Sequence, residues 1–167
     1  MPEFDPETVL ATFDRHAVRF VVIGGLAASL YGSPHVTFDL DVTPDSSLDN
    51  LSRLATALRE LDARIRTEGV EGGLPFACSA EFLSRVTTLN LTTAAGNVDI
   101  AFAPSGTRGY HDLVVRARTL DIRGTRFAVA ALEDVIRSKE AADRPKDRVV
   151  LPALRALLER RAEEDQS

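Results

Sequence analysis

The chain has 167 residues, of which 44% are hydrophobic and 27% are charged, with a formal net charge of −5, and this balance predicts one globular domain over residues 1–167. Cys78 is the single cysteine, which excludes an intrachain disulfide and a cysteine-cluster zinc site. No apolar run is long enough to span a bilayer and the first residues are acidic, unlike a signal peptide, so we expect a cytoplasmic protein with no membrane partner.

The first predicted elements are a helix and a buried strand. Val9, Leu10 and Phe13 recur at helical spacing within residues 6–16, and Asp5 is a suitable N-cap before Pro6. Residues 19–23 then predict a strand.

A glycine pair comes directly after this strand. Gly24 and Gly25 open a short predicted helix, where free backbone N–H groups would bind an anion such as phosphate. A lone glycine pair is usually a turn, so it predicts an anion site only in combination with a second motif.

An aspartate pair lies beyond the short helix. Residues 38–42 predict a strand in which Phe38, Leu40 and Val42 face the core. Asp39 and Asp41 then share the opposite face, about 7 Å apart along the strand. Two carboxylates on one face predict a divalent-metal site close to the phosphate site.

The two motifs together predict phosphoryl or nucleotidyl transfer, in which carboxylate-held metal ions bridge the phosphates. The sequence Gly-Gly, thirteen residues and Asp-Leu-Asp between apolar neighbours resembles the signature of the nucleotidyltransferase superfamily with the DNA polymerase beta-like fold. More narrowly, the chain resembles the small bacterial nucleotidyltransferases of toxin–antitoxin and abortive-infection operons. The resemblance is strongest over residues 21–42, 97–102 and 131–151.

This resemblance implies an α+β fold with a mixed central sheet flanked by helices and a C-terminal helical segment. The core would span residues 17–103, and a hairpin and helices would occupy residues 109–163. The implied cofactor is Mg²⁺, held by Asp39 and Asp41, and the implied substrate is a nucleoside triphosphate. The positions that match the nucleotide-binding motif are Gly24, Gly25, Ser33 and Thr37.

The middle of the chain predicts a helix, a glycine-rich loop and a hairpin. Ser46 would cap the helix, whose apolar stripe starts at Leu48 and runs to Leu61. Residues 64–67 predict a short strand, and residues 86–92 and 97–102 predict a β-hairpin.

Asp99 lies on the second strand of that hairpin. Val98, Ile100 and Phe102 face the core, which places Asp99 on the opposite surface. The resemblance implies that Asp99 completes the metal-binding triad and helps to deprotonate the attacking hydroxyl. The alternative is an aspartate at the end of a hairpin without a catalytic role.

The C-terminal part predicts a second hairpin over residues 120–129 and a helix over 131–142. Asp143 would cap a last helix with Pro145 in its first turn and Val149 in its apolar stripe. Pro152 would kink or restart this helix, and residues 160–167 would be frayed.

Both lysines of the chain, Lys139 and Lys146, fall in one short segment. The segment resembles the helix and turn of toxin-type nucleotidyltransferases, which implies that Lys139 is catalytic and binds the triphosphate. Lys146 and Asp147 would also belong to the nucleotide site. Asp147 would orient Lys139 or Arg144, or else it favours the helix dipole as an N-terminal aspartate.

One position departs from the family pattern. Relatives commonly carry arginine where this chain has His35, which is shorter and mostly neutral at pH 7. Any phosphate contact or salt bridge of that arginine is therefore in question here.

Arginine is dense between residues 108 and 126, although the net charge argues against general nucleic-acid binding. These arginines would flank the cleft where an RNA backbone enters, or else they form a solvated face.

The leading hypothesis from the sequence is a metal-dependent nucleotidyltransferase that acts as the toxin of a toxin–antitoxin pair on a tRNA end, held in check by a partner protein. The runner-up is an antitoxin that nucleotidylates a partner toxin. The third hypothesis is an inactive domain that binds a partner, against which the intact acidic residues argue.

Overall fold

A computed structural model describes residues 2–167, and within that range it contains seven helices and seven strands. The helices are α1 (Pro6–Arg15), α2 (Gly24–Leu30), α3 (Leu48–Glu60), α4 (Ala80–Leu83), α5 (Tyr110–Val114), α6 (Leu132–Ala142) and α7 (Pro145–Gln166). The strands are β1 (Phe20–Ile23), β2 (Asp39–Pro44), β3 (Arg64–Ile65), β4 (Thr88–Thr93), β5 (Gly96–Ala101), β6 (Arg118–Ile122) and β7 (Thr125–Val129). No helix in the described range has both the length and the apolar character of a membrane span.

The strands form one mixed sheet in the order β3-β4-β5-β2-β1-β7-β6. Strand β1 pairs antiparallel with β2 and parallel with β7, and β2 pairs parallel with β5. The predicted hairpins β4–β5 and β6–β7 are confirmed as antiparallel pairs. This order places β2, which carries the aspartate pair, in the middle of the sheet.

One hydrophobic cluster joins the sheet to α1, α3 and α6. Leu40 and Val98 contribute to it from β2 and β5, while Phe13, Leu54 and Val135 contribute from the three helices. The alternation of buried and half-buried residues along β2 and β5 reflects the pleat of the strands. The apolar side of this sheet therefore fixes which side chains emerge on the other side.

Phe38 differs from the sequence prediction. Strand β2 begins at Asp39, so Phe38 belongs to the connection after α2 and its side chain is 72% exposed. The prediction that Phe38 faces the core is wrong because the pleat that would turn it inward starts one residue later.

The start of α3 also differs. Ser47 is its N-cap in place of Ser46, and Leu48, the first helical residue, is exposed. The buried apolar stripe begins at Leu51. Asp45 accepts a hydrogen bond from the backbone N–H of Ser47, which fixes the entry into the helix.

Helix α7 departs from prediction at both ends. Arg144 is its N-cap, whereas Asp143 has a left-handed backbone at the C-cap of α6. The helix continues through Pro152 to Gln166, so neither a restart nor a frayed segment is present, and it extends beyond residue 163. Val149 is exposed, whereas Leu154 is buried and packs in the core.

Candidate active site

The two strands that carry the predicted acids lie side by side. In the parallel pair β2–β5, Asp41 is the register partner of Asp99. Leu40 and Val42 are fully buried on one face, so Asp39, Asp41 and Asp99 emerge together on the other. The sheet register therefore brings the predicted acidic triad to one surface.

The glycine pair packs directly over this surface. Gly24 has a φ of 68°, and a Cβ at this position would overlap the carboxylate of Asp41. A Cβ on Gly25 would lie 2.9 Å from Oγ1 of Thr37. Glycine is thus required at position 24 both for the backbone conformation and for the close approach of α2 to the acids.

Asp41 has an unusual electrostatic environment. Burial, together with the smaller effects of the charges of Asp99 and Asp39, raises its pKa to about 6, while Lys146 and Lys139 act in the opposite direction. Among the described residues, no donor forms a hydrogen bond to its carboxylate. The site therefore holds an excess of negative charge that a bound cation would relieve.

Arg66 contacts the third acid and was not predicted from the sequence. Its Nη2 donates to Oδ1 of Asp99 at 2.6 Å, and its Nη1 donates to the carbonyl of Leu91 at 2.8 Å. Burial raises the pKa of Asp99, and the hydrogen bond and charge of Arg66 oppose this increase. No local sequence signal marks this pair, because the two residues meet only through the pairing of β3, β4 and β5.

Replacing Arg66 with methionine is expected to raise the pKa of Asp99, because burial then acts without the opposing guanidinium. The free energy of unfolding at pH 7 should fall by about 1–3 kcal/mol, the range for a lost hydrogen bond to a charged group. Carboxyl NMR and urea titration would measure the two effects.

The matched control for this change is Arg64→Met, since Arg64 is more exposed and lies 3.9 Å from the exposed Asp62. It should change neither quantity appreciably. An unchanged Asp99 titration in the Arg66 variant would contradict the assigned role of Arg66.

Positive charge comes from the junction of α6 and α7. Asp147 is fully buried, and its carboxylate accepts hydrogen bonds from Nε of Arg144 at 2.7 Å and Nη2 of Arg144 at 3.1 Å. Nζ of Lys139 lies 3.7 Å from Oδ1 of Asp147. Burial lowers the pKa of Lys139, and the charge of Asp147 opposes this decrease. Asp147 therefore both caps α7 and holds two cations beside the acids.

A cavity of about 820 Å³ lies between these elements. All ten site residues predicted from the sequence line it. They are Gly24, Gly25, Ser33, Thr37, Asp39, Asp41, Asp99, Lys139, Lys146 and Asp147. Their roles remain predictions, but the fold places all of them on one concave surface.

His35 also lines the cavity and is exposed. Its carbonyl accepts a hydrogen bond from Ser29, and its backbone N–H donates to Ser33. The imidazole itself forms no hydrogen bond or salt bridge within residues 2–167. The side chain is therefore available to a ligand at this edge of the cavity.

The five arginines between residues 108 and 126, all within the described range, do not belong to the cavity lining. Arg116 pairs with the buried Asp134, Arg123 pairs with Glu7, and Arg118 lies over the ring of Tyr31 at 6.0 Å from its centroid. Because Asp134 also lines the cavity, Arg116 lies at its border, and the flanking of the cleft by this stretch stays a prediction.

Two of the acids could bind a magnesium ion, provided that substrate phosphates and water supply its other ligands. Within residues 2–167, no group of three His, Cys, Asp or Glu side chains is assembled to hold a metal, and Asp99 is engaged by Arg66. However, Mg²⁺ is usually bound by one or two carboxylates together with substrate phosphates and water. Asp39 and Asp41 supply such oxygen ligands, and burial together with the charges of Asp99 and Asp39 raises the pKa of Asp41.

No family model and no curated protein sequence matches this chain. Its fold nevertheless matches solved structures. One of them is the lincosamide antibiotic adenylyltransferase LnuA with lincomycin bound, which matches with a TM-score of 0.60 and 12% sequence identity. This match covers 94% of this chain and 99% of the LnuA chain. A candidate nucleotidyltransferase from Thermotoga maritima matches at 0.53, 19% identity and 95% and 97% coverage. The antibiotic-resistance factor ANT(2'')-Ia matches at 0.53, 14% identity and 96% and 95% coverage. These likenesses confirm the predicted mixed α+β architecture, and the chain has the nucleotidyltransferase fold.

Proposed function

We propose that this protein transfers a nucleoside monophosphate from a nucleoside triphosphate to a hydroxyl group and requires Mg²⁺. The observation that carries the proposal is the cavity shared by the carboxylates of Asp39, Asp41 and Asp99 and the cations Lys139, Arg144 and Lys146. A negatively charged cluster would hold a metal, and an adjacent positive cluster would hold phosphates. The fold likeness to nucleotidyltransferases supports this proposal.

Each group has a defined part in the reaction. Asp39 and Asp41 would hold Mg²⁺, which stabilises negative charge that develops on the phosphates. Lys139 and Lys146 would bind triphosphate oxygens, Lys139 from a position fixed by Asp147. Asp99 would accept the proton of the attacking hydroxyl on Oδ2, the oxygen that Arg66 leaves free.

The residues around α2 would bind the nucleotide. Gly24 and Gly25 allow the backbone to come close to Asp41 and Thr37, so a phosphate held by the acids would also lie near backbone N–H groups. Ser33 and Thr37 offer hydroxyls on the same lining. His35 occupies the position where relatives carry arginine, so less positive charge reaches the phosphates from this side.

The biological role is proposed from the sequence resemblance. A toxin that acts on a tRNA end and an antitoxin that modifies a partner toxin would share the chemistry described above. The cytoplasm, where triphosphates and Mg²⁺ occur together, is the compartment that we propose. An inactive partner-binding domain would not need Lys139 held by a buried acid, so that hypothesis has less support.

Binding of a non-hydrolysable triphosphate should require Mg²⁺ and should fall at least 100-fold in the double variant Asp39→Ala/Asp41→Ala, roughly the 3 kcal/mol or more expected when metal charge loses its ligands. Titration calorimetry with and without Mg²⁺ tests this. The control is Asp49→Ala/Asp62→Ala, which removes two exposed carboxylates that do not line the cavity. Equal affinity with and without Mg²⁺ would contradict the metal assignment.

A further inference from the structure

Arg66 is fixed to the sheet by three hydrogen bonds. Its backbone N–H donates to the carbonyl of Asn90 at 2.9 Å, and its Nη1 donates to the carbonyl of Leu91 at 2.8 Å. Both acceptors belong to β4, and Nη2 donates to Oδ1 of Asp99 at 2.6 Å. Because an arginine side chain does not lose its proton in proteins, its guanidinium is a permanent positive charge beside Asp99.

Asp99 lies between two different neighbours in the sheet. It is the register partner of Asp41 of β2 on one side and of Asn90 of β4 on the other. The guanidinium of Arg66 is anchored on β4, so it binds Asp99 from the side away from Asp41. Neighbouring strands lie about 5 Å apart, so the strand that anchors Arg66 is about 10 Å from the strand that carries Asp41.

This contact separates Asp99 from the other two acids as a metal ligand. Within residues 2–167, no three His, Cys, Asp or Glu side chains are positioned to hold one ion. A guanidinium that lies 2.6 Å from Oδ1 of Asp99 also repels any second cation that approaches this carboxylate. Arg66 compensates one of the three negative charges of the acids, and the remaining two equal the charge of a single Mg²⁺.

We propose that Arg66 is a positioning residue that restricts the site to one divalent cation, held by Asp39 and Asp41, and reserves Asp99 for the proton of the acceptor hydroxyl. This inference rests on the proposed nucleotidyl transfer and specifies the number of ions in that site. It differs from the metal-binding triad that the sequence resemblance implies, in which Asp99 is also a ligand. The guanidinium supplies at Asp99 the positive charge that a second ion would otherwise supply.

The transfer step balances with Asp99 in this role. The oxygen of the acceptor hydroxyl forms a bond to the α-phosphorus, and the bond from that phosphorus to pyrophosphate breaks with its electron pair. The proton of the hydroxyl passes to Oδ2 of Asp99, while Oδ1 remains hydrogen-bonded to Arg66. Asp99 lines the cavity and Arg66 does not, so the carboxylate is the group that touches the acceptor.

Mn²⁺ in place of Mg²⁺ tests the number of ions, because two manganese ions about 3.5–4 Å apart give a spin-coupled electron paramagnetic resonance spectrum and a single ion does not. With a non-hydrolysable triphosphate, we expect one Mn²⁺ per parent complex and an uncoupled spectrum. Arg66→Met should bind two ions and show the coupling, whereas Arg66→Lys, which retains the positive charge, should again bind one. Arg64→Met is the matched control and should also bind one, because Arg64 pairs with the exposed Asp62.

The variant Asp99→Asn provides a test that does not depend on the folding of Arg66→Met. Asparagine retains an oxygen that accepts the hydrogen bond of Arg66, but it cannot take up the hydroxyl proton. The Mn²⁺ affinity of its triphosphate complex should stay within about twofold of the parent value, while transfer falls by about 100-fold or more, as expected for loss of a general base. Asp41→Asn should instead lower the Mn²⁺ affinity by about tenfold or more, since it removes a ligand.

A spin-coupled ion pair in the parent complex would overturn the inference. An Asp99→Asn variant that loses Mn²⁺ affinity, or a folded Arg66→Met variant that still binds one ion, would also overturn it. Each of these results would leave the proposed nucleotidyl transfer standing. Triphosphate binding to the parent protein that does not depend on Mn²⁺ would instead overturn the proposed function.

Discussion

The variant Asp41→Asn is expected to be more stable than the parent protein without metal at pH 7.5, and to be inactive. Burial and two neighbouring acids raise the folded-state pKa of Asp41 to about 6 from 3.8. Between these values the native state binds more protons than the unfolded state, so the free energy of unfolding of the parent falls as pH rises from about 4 to about 6. Asparagine avoids this loss, and the gain should be about 1–3 kcal/mol at pH 7.5 and small at pH 4.

The loss of activity has a separate cause. The amide of asparagine cannot neutralise a metal, so nucleotidyl transfer should fall about 1,000-fold. Mg²⁺ should raise the melting temperature of the parent but not that of the variant. The variant Asp62→Asn, at an exposed residue, should change stability by less than about 0.5 kcal/mol. If Asp41→Asn were less stable than the parent protein in EDTA at pH 7.5, the ionised Asp41 carboxylate would not destabilise the folded state, and the prediction would be wrong.

The variant Asp147→Ala is expected to lose about 3–5 kcal/mol of unfolding free energy, the cost of breaking a buried ion pair from one side. Asp147 is fully buried, and its removal leaves Arg144 and Lys139 without their anion. The pKa of Lys139 should then fall further, since burial would act without the opposing charge. As pH rises, triphosphate binding to the variant should therefore begin to weaken at a lower pH than binding to the parent protein.

Urea titration and pH-dependent calorimetry measure these effects. If Asp147→Ala does not fold, Asp147→Asn retains an acceptor for the backbone N–H of Arg144 and isolates the loss of charge. Glu140→Ala is the control, because Glu140 and Arg155 form an exposed pair on the same two helices and should contribute less than about 1 kcal/mol. A loss no larger for Asp147→Asn than for Glu140→Ala would contradict the positioning role of Asp147.

The sequence correctly predicted the helices and strands whose hydrophobic residues recur at regular local spacing. The helix of residues 6–16, the β4–β5 and β6–β7 hairpins and the opposite faces of Leu40 and Asp41 arise from local alternation, turns and caps. Six of the ten predicted site residues share a cavity because the motif spacing already encoded the strand, helix and strand that surround it, whereas the other four reach it from β5, α6 and α7.

Other features depend on contacts that no local pattern encodes. Arg66 meets Asp99 only after β3, β4 and β5 have paired. Arg116, which precedes the β6–β7 hairpin, meets Asp134 in the first turn of α6, which follows that hairpin. Phe38 resembles the start of a strand because its neighbours alternate, but the ladder begins one residue later. In each case tertiary pairing decided the outcome, which the local sequence alone does not specify.

The late position of the α6–α7 junction in the chain has a consequence for the synthesis of the protein. Asp41 is separated from Lys139 by about a hundred residues, so the ribosome makes the acids long before the cations that face them. A nascent chain that already carries both sequence motifs would still lack half of its phosphate-binding surface. If the proposed function holds, the newly made protein would begin to react with triphosphates only after α7 has docked, and incomplete chains would not modify cellular hydroxyls.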